Sequence, residues 1–254
     1  MHTLDRAPHL TIVIPAYNEE NRIIETLLRI DEYLDAQAYS SEVVVVDDGS
    51  TDSTFDLVEK FADSHKRFKV LHHEPNRGKG YAVRSGVLTA AGEYVLISDA
   101  DLATPIEELE HLWNHISDGA DIAIASRPLR ESKLVERQPF YREFAGRAFN
   151  WVVRLLAVRG IHDTQCGFKL FNRDCAQAIF ARCTLDGFSF DIEVLHLAQR
   201  LGYRIAEVPV HWYHRPGSKV RLLRDGLRMM ADLVRIRLRH RGVCTNIPDE
   251  NRRI

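Results

Sequence analysis

Three acidic clusters each follow a short apolar run. Asp99 and Asp101 stand one residue apart after Tyr94-Val95-Leu96-Ile97-Ser98, and Asp47-Asp48-Gly49-Ser50-Thr51-Asp52 follows Val43-Val44-Val45-Val46. Tyr17-Asn18-Glu19 follows Leu10-Thr11-Ile12-Val13-Ile14-Pro15-Ala16. Carboxylates are hard oxygen donors, and Mg²⁺ or Mn²⁺ is commonly held by one or two of them together with substrate phosphates and water. An isolated Asp-x-Asp is more often a turn or a cap. If the three apolar runs are strands of one open α/β sheet, however, all three clusters meet beyond its carboxyl edge, where such sheets bind ligands. Asp99 and Asp101 are therefore the expected metal-holding carboxylates of a nucleoside-diphosphate site.

Other residues carry weaker signals. Arg127 follows the run Ile122–Ala125, and its guanidinium could hold a diphosphate or an acceptor phosphate through two parallel hydrogen bonds. Lys219, after Gly217-Ser218, could reach phosphate as a point charge. Asp191 and Glu193 open an amphipathic segment, where acidic side chains often serve only the helix dipole. Asn76-Arg77-Gly78-Lys79-Gly80 matches neither Walker A nor the dinucleotide fingerprint, since Val83 stands in the third glycine's place. Its glycines are read as serving a tight turn and close helix packing. His211 and His214, three residues apart in a strand or loop, present their rings to different faces and read as structural.

The elements that must position these groups alternate along the first half. Apolar runs at 10–14, 43–46, 68–71, 94–97 and 122–125 are separated by helical periodicity at 19–38, 52–62 and 79–90. A further helix starts at Thr104-Pro105-Ile106-Glu107, read as an N-cap, a Pro at N1 and a capping-box Glu. Continuous apolar strands between helices predict a mostly parallel sheet covered on both faces. The second half predicts strands at 168–171 and 204–210 and helices near 173–182 and 190–201. Residues 128–160 are expected to be helical with mobile connections. Val220–His240 is an amphipathic helix with Leu223, Leu227, Met230 and Val234 on one stripe, ringed by Arg221, Arg224, Arg228, Arg235, Arg237 and Arg239. The expected organisation is a flexible 1–9, one domain over 10–218, a helix over 219–241 that could associate with a membrane, and a flexible 242–254.

Whole-chain properties limit the options. At 254 residues the chain can bury one large core, and a net charge of −2 supplies no bulk attraction for nucleic acid. Cys166, Cys175, Cys183 and Cys244 show no paired spacing and read as reduced thiols in a cytosolic chain. Residues 1–10 lack an apolar signal region, and no stretch reaches the roughly 18 apolar residues of a spanning helix. A peripheral position at the cytoplasmic face of a membrane is expected, reached through the basic amphipathic helix and the arginine- and aromatic-rich 127–159 segment.

The motifs Val13-Ile14-Pro15-Ala16-Tyr17-Asn18-Glu19, Val46-Asp47-Asp48-Gly49-Ser50-Thr51-Asp52 and Asp99-Ala100-Asp101 resemble those of the family 2 glycosyltransferases with the GT-A fold. The resemblance runs from about residue 10 to about 220. It implies that Pro15, Tyr17, Glu19, Asp48, Asp99 and Ala100 line the nucleotide-sugar pocket, and that Asp101 ligates the metal at the diphosphate. Asp48 could accept the imide N–H of uracil or an N–H of guanine without distinguishing them.

The later motifs are similar to those of dolichyl-phosphate β-glucosyltransferases. They are Ser126-Arg127, Asp163-Thr164-Gln165-Cys166-Gly167-Phe168-Lys169-Leu170-Phe171 and Gly187-Phe188-Ser189-Phe190-Asp191-Ile192-Glu193, with Gly217-Ser218-Lys219 near the last helix. This resemblance implies inverting transfer of glucose from UDP-glucose to a polyprenyl (dolichyl or undecaprenyl) phosphate, with Arg127, Gln165 and Lys219 at the acceptor or phosphates. In members with hydroxyl acceptors an aspartate near Asp191 is the base. A lipid phosphate is already ionised, with its second pKa near 6, and needs orientation more than deprotonation. The N-terminal anchor common among eukaryotic members is not expected from this sequence, and the Gln-x-x-Arg-Trp signature of processive synthases does not occur in it. The alternatives are transfer to a soluble or polysaccharide hydroxyl, with Asp191 as base, and a nucleotide-sugar-binding protein without turnover.

Overall fold

Along Val43-Val44-Val45-Val46, alternate side chains point to opposite sides, and all four are buried. Val43 and Val45 join one apolar cluster, Val44 and Val46 a second, so the strand is covered on both faces. The computed structural model describes residues 7–129, 132–134, 153, 156–214 and 222–243. Its strands are β1 (Leu10–Ala16), β2 (Ser41–Asp47), β3 (Phe68–His72), β4 (Tyr94–Ser98), β5 (Ile122–Ser126), β6 (Lys133–Leu134), β7 (Phe168–Asn172), β8 (Ile205–Pro209) and β9 (His211–Trp212). The helices are α1 (Ile23–Asp35), α2 (Thr54–Ser64), α3 (Lys79–Thr89), α4 (Leu109–Ser117), α5 (Arg173–Phe180), α6 (Phe190–Leu201) and α7 (Leu222–Arg239).

The main sheet has the order β3-β2-β1-β4-β7-β5-β8. Every pairing in it is parallel except those of β7, which runs antiparallel between β4 and β5. The expected mostly parallel sheet is therefore present, and the direction of β7 is what periodicity alone does not reveal. Helices α1, α2 and α4 bury Leu27, Ile30, Val58, Phe61 and Leu112 against one face. Helices α3, α5, α6 and α7 cover the other with Val83, Val87, Ile179, Leu195 and Leu233. Among the described residues no helix is long and apolar enough to cross a membrane.

Two local expectations are corrected. Residues 19–22 do not begin α1, because the Glu19 and Glu20 amides are engaged by Thr54 and Asp52 after β2. Thr104 does not cap a helix with its side chain: its hydroxyl faces the Cys166 thiol at 3.7 Å, and the helix opens as a 3-10 turn, Ile106–Glu108. Pro105 at φ −56°, ψ 148° is extended, which sets the helix start one residue later. Lys219, the 244–254 tail with Cys244 and most of the 127–159 segment lie outside the described residues.

α7 packs through a face other than the stripe that holds Met230 and Val234. Met229, Leu233 and Ile236 are buried against α6, whereas Met230, Val234 and Leu238 are exposed by 38%, 55% and 61%.

Gly86 shows how tightly α3 seats on the sheet. A Cβ there would stand 2.4 Å from Val13 Cγ1 and 2.9 Å from Val46 Cγ2. Overpacking of this kind costs about 1–3 kcal/mol, against about 1 kcal/mol gained in helix propensity. Gly86→Ala is expected to lower the melting temperature by several degrees, and an unchanged or raised value would show that α3 can shift away without cost.

Candidate active site

The loops after β1 and β2 are joined by side chains from both. Asn18, in the left-handed region at φ 51°, accepts the Thr51 amide at 2.8 Å and donates its own to Ser50 Oγ at 2.9 Å. The Ser53 amide donates to Glu20 at 3.1 Å, while Asp52 accepts the Thr54 amide at 2.9 Å. Glu19 is paired with Arg22. Pro15 sits beside Val46 in the parallel register, and the Asp48 amide donates to Ala16 O at 2.9 Å. The two motifs that both suggested a nucleotide pocket thus form one surface, with Tyr17 half-buried in it.

Asp48 is buried beneath the 76–78 loop. Its carboxylate accepts Asn76 Nδ2 at 2.9 Å and the amides of Arg77 at 3.0 Å and Gly78 at 2.7 Å. A carboxylate has about four acceptor positions, so the carboxyl anchors this loop and keeps one position on Oδ1. Burial pushes the Asp48 carboxyl above its ordinary value, and the loop amides partly offset that rise. Gly78, at φ 111°, and Gly80 serve the close packing expected of them, with built Cβ atoms falling 2.5 Å and 2.4 Å from the carbonyl oxygens of Asp186 and Leu185.

The same loop delivers a residue that the sequence reading assigned no function. Lys79, first in α3, places Nζ 2.6 Å from Asp99 Oδ1. Burial opposes its charge, but Asp99, Asp191 and Asp101 more than offset this and raise its pKa, so it stays cationic. Asp99 is also held against the backbone of Gly167, where a Cβ would lie 2.0 Å from Asp99 Oδ2. Asp101 accepts the Ala103 amide at 3.0 Å, and Ala100 O accepts Thr26 Oγ1 at 2.8 Å. Leu102 follows at φ 44°, a left-handed conformation that costs a bulky residue about 1–3 kcal/mol. Burial of its side chain, 5% exposed, opposes that cost. Burial first, then repulsion from Asp99, pushes the Asp101 carboxyl up.

Two more ion pairs complete the site. On β7, Phe168 and Leu170 face the α4 side of the sheet, so Lys169 points to the α6 side. There its Nζ lies 2.5 Å from Asp191 Oδ1, with the two side chains 1% and 7% exposed. Burial pushes the Asp191 carboxyl up despite Lys169 and Lys79, and Asp99 adds to the rise. Arg127 donates to Asp163 from Nε at 2.6 Å and Nη2 at 2.9 Å, and its amide donates to the same carboxylate at 3.1 Å. The two-fold contact expected with phosphate is thus made with Asp163, whose pKa Arg127 lowers against the effect of burial. The Gln165 amide also donates to Asp163, at 3.2 Å. Glu193, unlike Asp191, turns away from the site and binds the Thr184 and Leu185 amides, each at 2.8 Å.

Asp99 and Asp101 suit a divalent cation chemically. Two close carboxylates, one with its pKa raised by the other, are a hard-oxygen pair that gains from added positive charge. Among the described residues no group of three His, Cys, Asp or Glu could hold a metal, so diphosphate and water would supply the other ligands. Lys79 was legible only as part of a glycine-rich turn. Lys169 read as one residue of a short strand, because nothing in the one-dimensional order says that a lysine in an apolar strand faces a buried aspartate.

An open, mostly parallel sheet with acidic clusters at its carboxyl edge is the architecture of α/β proteins that bind ligands at that edge, and comparison with known proteins narrows the class. Residues 11–180 match the model of glycosyl transferase family 2. The chain is 38% identical to the dolichyl-phosphate beta-glucosyltransferase of Dictyostelium discoideum over 244 residues, covering 91% of this chain and 75% of that one. It is 38% identical to the Saccharomyces cerevisiae protein of the same name, covering 93% and 76%. Among solved structures, mannosyl-3-phosphoglycerate synthase from Rubrobacter xylanophilus superposes with a TM-score of 0.67 at 19% identity, covering 96% of this chain and 80% of that one. Glucosyl-3-phosphoglycerate synthase from Mycobacterium tuberculosis, in complex with UDP, gives 0.64 at 22% identity, covering 90% and 80%. The chain belongs to glycosyl transferase family 2; it is a glycosyltransferase of the GT-A fold.

Two substitutions test the geometry. Gly167→Ala should displace Asp99 with little change in melting temperature, and displacements near 1 Å can cost about 10²-fold in rate. Unimpaired transfer by that variant would remove Gly167 from the account of the site. Arg127→Met leaves Asp163 buried without its cation, which typically costs about 3–5 kcal/mol. Thermal unfolding should show a fall of many degrees, and a small change would mean that Arg127 serves phosphate more than the fold.

Proposed function

We propose that this enzyme transfers glucose from UDP-glucose to a polyprenyl phosphate with inversion at the sugar carbon. The observation that carries the reading is the alternation of Lys79, Asp99, Asp101, Lys169 and Asp191 at the carboxyl edge of the sheet. The names of the dolichyl-phosphate beta-glucosyltransferase relatives support the sugar and the acceptor class. In this reading Pro15, Tyr17, Glu19 and Asp48 bound the nucleobase and ribose pocket. Asp99 and Asp101 hold Mg²⁺ or Mn²⁺, which when bound neutralises charge on the departing diphosphate. Lys79, already cationic beside Asp99, supplies a second positive group facing the same charge.

A phosphate oxygen of the acceptor attacks C1 as the C1–O bond to UDP breaks, and the electron pair leaves with UDP. No proton has to move, since the acceptor is already ionised. Asp191 then positions the acceptor through Lys169, and Arg127 through its exposed edge. Lys219 would add phosphate contact from its place ahead of α7. The protein would work at the cytoplasmic face of a membrane as a peripheral protein, with the exposed Met230, Val234 and Leu238 row turned to the bilayer.

A hydroxyl acceptor is the competing reading, favoured by the raised pKa of Asp191, which suits a base. Purified protein, Mg²⁺ or Mn²⁺, a short polyprenyl phosphate and labelled UDP-glucose, UDP-GlcNAc or GDP-mannose separate the two. Metal-dependent label in the organic phase from UDP-glucose is expected, with Asp101→Asn slower by about 10²–10³-fold. Lipid labelling only from another donor would overturn the sugar. Label on soluble acceptors, lost by about 10²–10⁴-fold in Asp191→Asn, would replace the phosphate acceptor with a hydroxyl.

A further inference from the structure

Away from the acidic edge, the far end of α6, the end of α7 and the 156–159 segment border an open cavity of about 520 Å³. Arg159, Arg200, Arg237 and Arg241 line it together with His196 and Leu238, and among the described residues no carboxylate does. Among the described residues none of the four arginines forms an ion pair, although the chain as a whole carries a net charge of −2. Guanidinium groups gathered around a concave surface repel one another unless an anion is present, and they match phosphate oxygens two at a time. We propose that this cavity is a second binding site, for a phosphate-bearing anion, distinct from the donor site.

The walls are built rather than incidental. α6 fixes both chain segments that supply the arginines. Gln199 accepts the Arg159 amide at 3.0 Å and donates to Arg159 O at 2.6 Å. Arg200 donates from Nε to Val243 O at 2.9 Å and from Nη2 to Arg241 O at 2.6 Å. These two bonds tie the segment after α7 to α6. Arginines in a last helical turn often do nothing more than offset the dipole. Arg159 belongs to no helix, however, and reaches the same cavity from another segment. Preorganisation of this kind lowers the ordering cost of binding.

His196 gives the site an internal reporter. Its Nδ1 donates to Ala157 O at 2.8 Å, which leaves the Nε2 lone pair as the position that protonates. Burial lowers its pKa, and His240, Arg200 and Arg237 lower it further. Those three are the charged or titratable neighbours acting against its protonation, and a bound anion would oppose them and raise the value.

The phosphate could belong to a lipid headgroup or to a soluble ester. Leu238 on the rim, 61% exposed, continues the row of Val234 and Met230, so a lipid would meet apolar surface beside the charge. The full-length chain is tested on vesicles of phosphatidylcholine alone and of phosphatidylcholine mixed with phosphatidylglycerol. A parallel arm follows the His196 imidazole by NMR as inorganic pyrophosphate is added in the presence of a chelator. The paired variants are Arg237→Glu with Arg241→Glu and, as a control with the same change of charge on an exposed surface of α2 and its C-terminal loop, Lys60→Glu with Lys66→Glu.

Preference for anionic vesicles that falls roughly tenfold or more in the cavity variant only would support the site and identify its ligand as lipid. A His196 pKa raised by pyrophosphate in wild type and not in the cavity variant, without vesicle preference, would support it with a soluble source. Equal behaviour of the two paired variants in both arms would overturn it. Arg237→Gln with Arg241→Gln, checked for an unchanged melting temperature, keeps the test valid if charge reversal disturbs α7. Binding of UDP is measured in each variant, so failure of this site is distinguishable from failure of the proposed transfer reaction.

Discussion

Everything at the active edge depends on balancing carboxylates that would otherwise repel one another. Asp99, Asp101, Asp163 and Asp191 are gathered there, and each raises or lowers the charge preference of its neighbours. Three cations offset them: Lys79 on Asp99, Lys169 on Asp191 and Arg127 on Asp163. The cations come from the start of α3, from the middle of β7 and from the end of β5. A site of this kind is already close to neutral before any ligand enters. The central place of β7 between β4 and β5, together with the alternation that turns Lys169 to the α6 side, brings that lysine to Asp191.

Backbone closeness is the second requirement. Asp99 lies against Gly167, and the 78–80 turn lies against the carbonyls of Leu185 and Asp186. Neither contact leaves room for a side chain. The 184–187 loop thereby touches the segment that anchors Asp48 and carries Lys79, and Arg84 ties it further through Asp186 at 2.9 Å. The Asp48 side and the Asp191 side of the site are one connected piece of structure.

α6 extends that connection to α7. Ser189, just ahead of α6, donates to the buried Asp232 at 2.7 Å, and Glu193 meets His240 at 2.8 Å. A helix that buries Met229, Leu233 and Ile236 while exposing Met230, Val234 and Leu238 has two apolar faces. The inner one is accounted for by the core. The outer one is exposed among the described residues.

Much of this was legible in the residues themselves. Continuous apolar runs ending in acidic clusters gave the strands, the parallel majority of the sheet and the edge where Asp48, Asp99 and Asp101 meet, because strand periodicity and the carboxyl-edge rule are local in origin. The antiparallel course of β7 was not legible, since a five-residue apolar strand reads the same in either direction. Lys79 and Lys169 were passed over for a related reason: their partners, Asp99 and Asp191, lie 20 and 22 residues away in sequence, beyond any spacing rule. The same holds for α7, where contact with α6 decides that Met229, Leu233 and Ile236 form the buried face. Sequence by itself determined the elements, the family and the acidic half of the site. Tertiary structure decided which cation neutralises which carboxylate, because a Coulomb partner is chosen by distance in space and not by distance along the chain.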